Sequence, residues 1–278
     1  LIMANTFNIS RSDIERHPAP FDFIFEWDNG TEKQFIIVSL HGAKALAEAF
    51  ETFGYEREEG SIKFMEHKAW KTYGLHLAPF NISGKNVCSS ATVGCSTACL
   101  NTAGRGIMHS VQDARIKKTR RFFEDRDGFL QQLHKEIKSS VKSAIKKELL
   151  SCFRLNLTSD IPWENMIVSK FPVLQFYDYT KHLKRFVRFL EGKLPSNYHL
   201  TYSRSEETPD ALVKSLCASG GNVAVVFRNH LPDKWLGLEV IDGDDSDLRF
   251  QDGKGKIVGL LEKGLAKKDK TGFVVEPE

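Results

Sequence analysis

Three cysteines stand close together in this chain, Cys88, Cys95 and Cys99, with six and then three residues between them. Thiolates are soft ligands, and several in one loop can wrap a soft metal ion or an iron–sulfur cluster. Gly84, Ser89, Ser90, Gly94 and Ser96 share the loop, and such small residues let backbone N–H groups approach cluster sulfurs. Three protein ligands, where a 4Fe–4S cluster takes four, leave one iron free to bind another group. Zinc is the alternative metal, with His76, His109, Cys152 or Cys217 as fourth ligand. Zinc sites, however, usually come as two closely spaced ligand pairs, and only Cys95 and Cys99 have such spacing. The plain alternatives are small apolar core residues or a disulfide.

The elements that must position these cysteines alternate along the chain. Residues 73–78 read as a short strand, followed by a long Gly-, Ser- and Cys-containing loop over 81–106. A helical stretch spans 110–150, with a break near Asp127-Gly128. Its second half places Leu130, Leu133, Ile137, Val141, Ile145 and Leu149 at spacings of three and four, an amphipathic pattern. Strands are expected over 153–158, 173–177, 199–202, 222–227, 238–241 and 256–261, with helices over 181–190 and 209–218. Strands alternating with helices argue for parallel strands joined by crossovers. An open Rossmann-like sheet satisfies the pattern too, but the phosphate-binding fingerprint of that fold is missing. The expected architecture is α/β, a partial (β/α) barrel of about six mainly parallel strands over residues 68–278. Its last part, 238–278, is expected to form an antiparallel hairpin and tail. Residues 1–67 read as an appendage: a β-hairpin of strands 21–27 and 34–40 around Asn29-Gly30, then a helix over 41–53.

Ligands of β/α barrels bind at the C-terminal ends of the strands. Those ends are polar throughout: Asn156, Ser159 and Asp160 after the second strand, Asp178, Thr180 and Lys181 after the third, Ser203, Arg204 and Glu206 after the fourth, Arg228 and Asn229 after the fifth. The plain alternative is helix N-caps, since Ser, Asp and Thr sit just before helices. The run Asp242-Gly243-Asp244-Asp245-Ser246-Asp247 fails the EF-hand template and reads as a solvated acidic turn.

A second chemical feature is basic. Arg115, Lys117, Lys118, Arg120 and Arg121 fall within seven residues, and Arg105 lies just upstream between Gly104 and Gly106. Such a run can contact a nucleotide or a nucleic-acid backbone, or simply form the solvated face of a long helix. The whole chain, at 278 residues with net charge +3, is not broadly cationic. It is 41% hydrophobic and 27% charged, an ordinary globular balance. No apolar run is long enough to span a membrane. No signal peptide is evident, and five cysteines are too few and odd in number for a secreted disulfide framework.

From about Lys68 to Leu261 the chain resembles the radical S-adenosylmethionine superfamily, in which a partial β/α barrel carries three cysteines in the loop after its first strand. The resemblance implies a 4Fe–4S cluster on Cys88, Cys95 and Cys99 whose open iron chelates S-adenosylmethionine, in an enzyme acting on a nucleotide, nucleic acid or peptide. It also implies that Asp160 meets the amino group of S-adenosylmethionine and that Ser203 or Glu206 meets the ribose. Arg204, Arg228 or Lys181 would meet its carboxylate. Asp160, Asp178, Ser203 and Arg228 are expected to share one cavity. The chain departs from the superfamily in its cysteine gaps, six and three where three and two are usual, and in having Ala98 before the last cysteine. The stretches Cys99-Leu100-Asn101-Thr102-Ala103-Gly104-Arg105-Gly106, Ser159-Asp160-Ile161-Pro162-Trp163-Glu164 and Tyr177-Asp178-Tyr179-Thr180-Lys181 are similar to those of bacteriophage proteins with a comparable cysteine triplet. That similarity implies a phage or prophage origin and the cytoplasm of an infected bacterium. The other function class is a non-enzymatic phage protein that binds nucleic acid and uses the metal as a structural staple.

Overall fold

The computed structural model describes residues 22–28, 33–38, 61–65, 69–147 and 149–277. The expected hairpin is present as β1 (Asp22–Asp28) and β2 (Lys33–Val38), antiparallel with Phe23 opposite Val38. A third strand, β3 (Ser61–Met65), pairs antiparallel with the other edge of β1. The reading of the sequence missed β3, although Ser61-Ile62-Lys63-Phe64 alternates polar and apolar residues as a strand does. The helix expected over 41–53 lies outside the described residues.

The second sheet holds nine strands: β4 (Trp70–Gly74), β5 (Leu150–Arg154), β6 (Gln175–Thr180), β7 (Tyr198–Ser203), β8 (Val223–Phe227), β9 (Lys234–Trp235), β10 (Leu238–Asp242), β11 (Ile257–Leu261) and β12 (Val274–Val275). Strands β4 to β8 lie side by side in chain order, all parallel, and β11 and β10 continue the parallel series beyond β8. The order never reverses from β4 to β8, whereas a doubly wound Rossmann sheet reverses at its switch point. Only β9 runs antiparallel, as the partner of β10. Residues 238–261 are therefore not the antiparallel hairpin expected: β10 and β11 are parallel neighbours, joined by a connection that crosses the sheet face. β7 pairs with β8 only at Tyr202 and Ser203. Beyond that point β12 takes its place, pairing with Val226 and Phe227.

Five α-helices are present among the described residues: α1 (Val93–Thr97), α2 (His109–Glu124), α3 (Arg126–Ile145), α4 (Leu183–Leu190) and α5 (Asp210–Ala218). The break in the long helical stretch falls at Asp125, two residues before the expected place. Its carboxylate accepts a 3.1 Å hydrogen bond from the Gly128 N–H and caps α3. A side chain at Gly128 would collide with that carboxylate at 2.3 Å. The amphipathic face then buries Phe129, Leu133, Ile137, Val141 and Ala144. This core continues through Phe122, Trp163, Phe153, Phe176, Leu200, Phe186 and Val223. β8 is buried along nearly its whole length, as a central parallel strand covered on both faces must be.

The acidic run after β10 is an exposed turn, as expected, but its last residue is tied to the sheet. Asp247 accepts both of its Arg154 hydrogen bonds at 2.8 and 2.9 Å and one from the Tyr177 hydroxyl at 3.0 Å. The short 3-10 turn that follows, Arg249–Gln251, places Phe250 5.0 Å from the Trp70 ring and 5.5 Å from Tyr177. The connection between β10 and β11 thus reaches back across the sheet face to β4, β5 and β6.

Candidate functional site

The cysteine loop leaves β4 and is pinned at both shoulders. The Leu75 N–H donates to the Arg154 carbonyl at 3.0 Å, and the Ala78 N–H donates to Thr119 Oγ1 on α2 at 2.8 Å. A turn then carries Phe80 in the left-handed region, φ 52°, which costs a bulky side chain of order 1–3 kcal/mol. This geometry aims the Phe80 N–H at Cys88 Sγ, 3.4 Å away. The Cys88 thiol points toward the Thr158 carbonyl at 3.8 Å, and the Asp160 N–H donates to Val87 at 2.8 Å. The first cysteine is therefore moored to the end of β5.

Cys95 rides on α1. Thr92 caps this helix by accepting from the Cys95 N–H at 3.2 Å. Glu206, beyond the end of β7, accepts from Thr92 Oγ1 at 2.8 Å and from the Gly94 N–H at 2.6 Å. A carboxylate at exposed N–H groups of a helix start is favourable. Any side chain at Gly94 would meet Thr271 Oγ1 at 2.3 Å and Glu206 Oε2 at 2.6 Å. Cys99 precedes the 3-10 turn Leu100–Thr102, and its carbonyl accepts from the Thr102 N–H at 3.0 Å and the Thr102 hydroxyl at 2.8 Å. Cys95 packs with Ala98, Ala266, Phe273 and Val274, so the C-terminal segment forms a wall of the site.

All three thiols are free and partly buried, and Cys99 is near enough to push up the pKa of both Cys88 and Cys95. Burial dominates in each case, pushing Cys88 up to about 12 and Cys95 and Cys99 upward as well. The opposing influences are the Phe80 N–H on Cys88, Lys181 on Cys95, and the Asn101 N–H, Arg115 and Lys181 on Cys99. Among the described residues, no three His, Cys, Asp or Glu side chains are gathered tightly enough to hold a single metal ion as they stand.

The three cysteines line one cavity of about 410 Å³ together with Asn156, Thr158, Ser159, Asp160, Thr180, Lys181 and Ser203. The strand ends therefore do converge beside the cysteines, as a parallel sheet requires. Leu100, Leu157, Val226, Leu260 and Phe273 supply apolar wall, and Arg154, Tyr179, Asp244, Asp247 and Lys263 line it as well. The acidic run and Arg154 are lining residues that the sequence did not reveal. Their signal was hidden because Asp244 and Asp247 reach the site only through a connection that folds back over the sheet.

The other expected residues divide. Asp160 accepts from Lys181 N at 2.8 Å, Thr180 Oγ1 at 3.1 Å and Arg185 Nη1 at 3.0 Å. Lys181 donates its ammonium to Ser203 Oγ at 2.9 Å and to the Ser203 and Arg204 carbonyls at 3.2 and 2.8 Å. Asp178 does not face the cavity. It is 1% exposed on the helix side of the sheet, accepting from Asn156 N at 2.7 Å and the Tyr198 hydroxyl at 2.7 Å. The alternation of β6 explains this: Tyr177 and Tyr179 take the other face. Arg204 turns to the Gly272 and Phe273 carbonyls, and Arg228 to Glu276 and the Lys267 and Asp269 carbonyls. Both anchor the C-terminal segment and neither lines the cavity. Glu206 is a helix cap, so its role is to hold Cys95 in place.

The basic run also splits. Arg105, Lys117, Lys118, Arg120 and Arg121 are exposed, while Arg115 is buried. Arg120 donates to the Ser83 carbonyl at 3.2 Å, and Arg121 pairs with Asp125. Of the histidines and cysteines considered as a fourth ligand, His76 lies near the site, with Nδ1 3.5 Å from Thr158 Oγ1. Burial, then Arg115, Lys118 and Arg154, hold its pKa down at about 4. His109 is exposed, Cys152 bonds Thr72 Oγ1 at 3.3 Å inside the sheet, and Cys217 packs on α5 against the Lys256 carbonyl.

Fold and site together define a mixed α/β protein with a thiol-lined cavity at the C-terminal ends of parallel strands. The chain belongs to the Gene product 88 family, a phage-type family whose model matches residues 41–277. No curated protein and no solved structure matches it. No helix among the described residues is long and apolar enough to cross a membrane.

Proposed function

We propose that this is an iron–sulfur protein of radical S-adenosylmethionine-like type, with a 4Fe–4S cluster on Cys88, Cys95 and Cys99. The observation that carries the reading is that all three thiols open on one cavity with the strand-end residues Asp160, Lys181 and Ser203. Several features support it. The donor set is soft, and Cys88 accepts a backbone N–H from Phe80, the contact that stabilises charge on cluster sulfur. Thiols that ring a cavity without meeting at one point suit a cluster, in which each thiolate binds a different iron, better than a single zinc. Strands β4 to β8, β11 and β10 supply seven parallel strands side by side, one more than expected, and the finer fold reading, a partial β/α barrel, rests on that order.

When bound, a cluster with three protein ligands supplies one-electron reduction and an iron with an open position. The chain's own residues do the rest. Glu206 and Thr92 fix α1 and with it Cys95. Thr158 and Asp160 fix the Cys88 turn. Leu157, Val226 and Phe273 give the cavity its apolar wall. The cavity volume of about 410 Å³ falls in the range of small-molecule sites. Within it Lys181 is the cation offered to a carboxylate and Asp160 the acceptor offered to an amine, while Arg204 and Arg228 are occupied elsewhere. The test is to titrate S-adenosylmethionine into cluster-loaded protein and record the electron paramagnetic resonance signal of the reduced cluster. A shifted signal supports the reading. A signal unchanged at saturating ligand removes S-adenosylmethionine from it. The exposed Arg105, Lys117, Lys118, Arg120 and Arg121 would then favour the second reading, a nucleic-acid-binding protein stapled by its metal, checked by salt-dependent binding to duplex DNA.

A further inference from the structure

Two cations from different parts of the sequence meet at the cysteines. Lys181 follows β6 and lines the cavity. Its ammonium is held only by neutral acceptors, the Ser203 hydroxyl and the Ser203 and Arg204 carbonyls, with the Phe273 ring 4.9 Å away. Arg115 belongs to the basic run, yet α2 turns it inward until it is 7% exposed. Its Nη1 donates to Asn101 Oδ1, two residues from Cys99, and its Nε is buried without a partner. Among the described residues neither cation forms an ion pair. The carboxylates nearest Lys181 are committed elsewhere: Asp160 to Arg185, and Glu206 to the start of α1. Arg154, Arg185, Arg249 and Lys263, by contrast, each have a carboxylate partner.

A buried cation with no counter-charge is costly, so an arrangement that keeps the buried Arg115 and the partly buried Lys181 beside one site calls for an anion there. The thiols are the groups positioned to become one. Cys99 lies within electrostatic reach of both cations, and Cys95 within reach of Lys181. We infer that Arg115 and Lys181 are the built-in counter-charges of the cysteine site, holding the thiolate-bound group there as an anion and raising its reduction potential. This rests on the cluster reading above. Taking up one electron makes a thiolate-ligated cluster one charge more negative, and nearby positive charge favours that form. Toward the cluster both act as positioning residues, through their charge and not as ligands.

The test compares wild-type protein with Lys181→Gln, Arg115→Gln, the charge-keeping Lys181→Arg and Arg115→Lys, and the exposed control Arg121→Gln. Each is reconstituted anaerobically, its iron is counted, and its midpoint potential is read by dithionite titration with redox mediators. Each Gln variant is expected to make reduction about tenfold less favourable, or about 59 mV for one electron. The charge-keeping variants and Arg121→Gln are expected to stay near wild type. Equal potentials across all iron-loaded proteins overturn the inference and leave the cluster reading intact. So does a drop in the charge-keeping variants as large as in the Gln variants, because it would mean that shape and not charge is sensed. If one Gln variant fails to take up iron, the other carries the comparison. Wild-type protein that takes up no iron overturns the cluster reading and this inference with it.

Discussion

Two polar regions lie on opposite faces of the same strand ends. On the helix side, Asp178, Tyr198, Arg185, Glu164 and Trp163 form a closed network, and Asn156 joins it to the cavity wall. Asn156 Oδ1 alone accepts from Ser159 at 2.8 Å, Ile161 N at 2.9 Å and Trp163 Nε1 at 3.0 Å. Arg185 clasps Glu164 through two bonds of 2.8 and 3.0 Å and also reaches Asp160 and the Tyr198 hydroxyl. On the cavity side, three thiols and the Lys181 ammonium, which has no carboxylate partner among the described residues, line one cavity, with the buried Arg115 guanidinium and its orphaned Nε held behind them by Asn101. A network whose donors and acceptors are matched has nothing left for a ligand and works as scaffold. A site with spare valence is where binding is to be sought. Both regions look alike in sequence, as polar residues at strand ends.

The largest effect is expected in the scaffold. Arg185→Met strands Glu164 and Asp160 in the interior and should cost about 3–5 kcal/mol in urea unfolding. A loss under about 1 kcal/mol would mean the network is not the scaffold described. Asp178 provides a pH signature of the same region. Burial pushes its pKa up to about 7, against the hydrogen bond from Tyr198 and the charge of Arg185. The folded chain therefore keeps a proton that the unfolded chain has released, and this residue's contribution to stability falls as pH rises from about 4 to 7. The slope is at most about 1.4 kcal/mol per pH unit. Asp178→Asn should flatten that part of the stability–pH curve. An unchanged curve would contradict the assignment.

At the seam between the two regions, Gly94→Ala forces its new methyl against Glu206 and Thr271. It should cost about 1–3 kcal/mol and weaken iron uptake by displacing Cys95. Normal iron uptake at normal stability would show that Glu206 does not hold the loop. The smallest effect on stability belongs to the cavity itself. Replacing any one of Cys88, Cys95 or Cys99 by Ala should change the stability of metal-free protein by no more than about 1 kcal/mol, yet abolish the bound cluster. A large loss without metal would place the cysteines in the scaffold.

The alternation of strands and helices, the amphipathic α3 and the convergence of Asp160, Lys181 and Ser203 near the cysteines were legible because period and spacing are local properties. Asp178 was misplaced because the strand-end rule does not say which face an alternating residue takes. Its neighbours Tyr177 and Tyr179 are as polar at their tips as it is. Glu206, Arg204 and Arg228 were read as ligand contacts when they serve the cysteine helix and the C-terminal segment, partners far away in sequence. Arg115 looked like its basic neighbours, and only the packing of α2 against Ala78 and Asn101 separates it from them. The fold-back of residues 242–252 across the sheet leaves no local trace at all.

The central claim is that the three cysteines hold a cluster. Protein purified without oxygen and reconstituted with iron and sulfide should contain about four irons per chain and show the broad visible absorption of thiolate-bound iron, and both should vanish in Cys88→Ala, Cys95→Ala and Cys99→Ala. Folded wild-type protein that stays colourless and iron-free under these conditions, or a chromophore that survives loss of all three cysteines, would contradict the account.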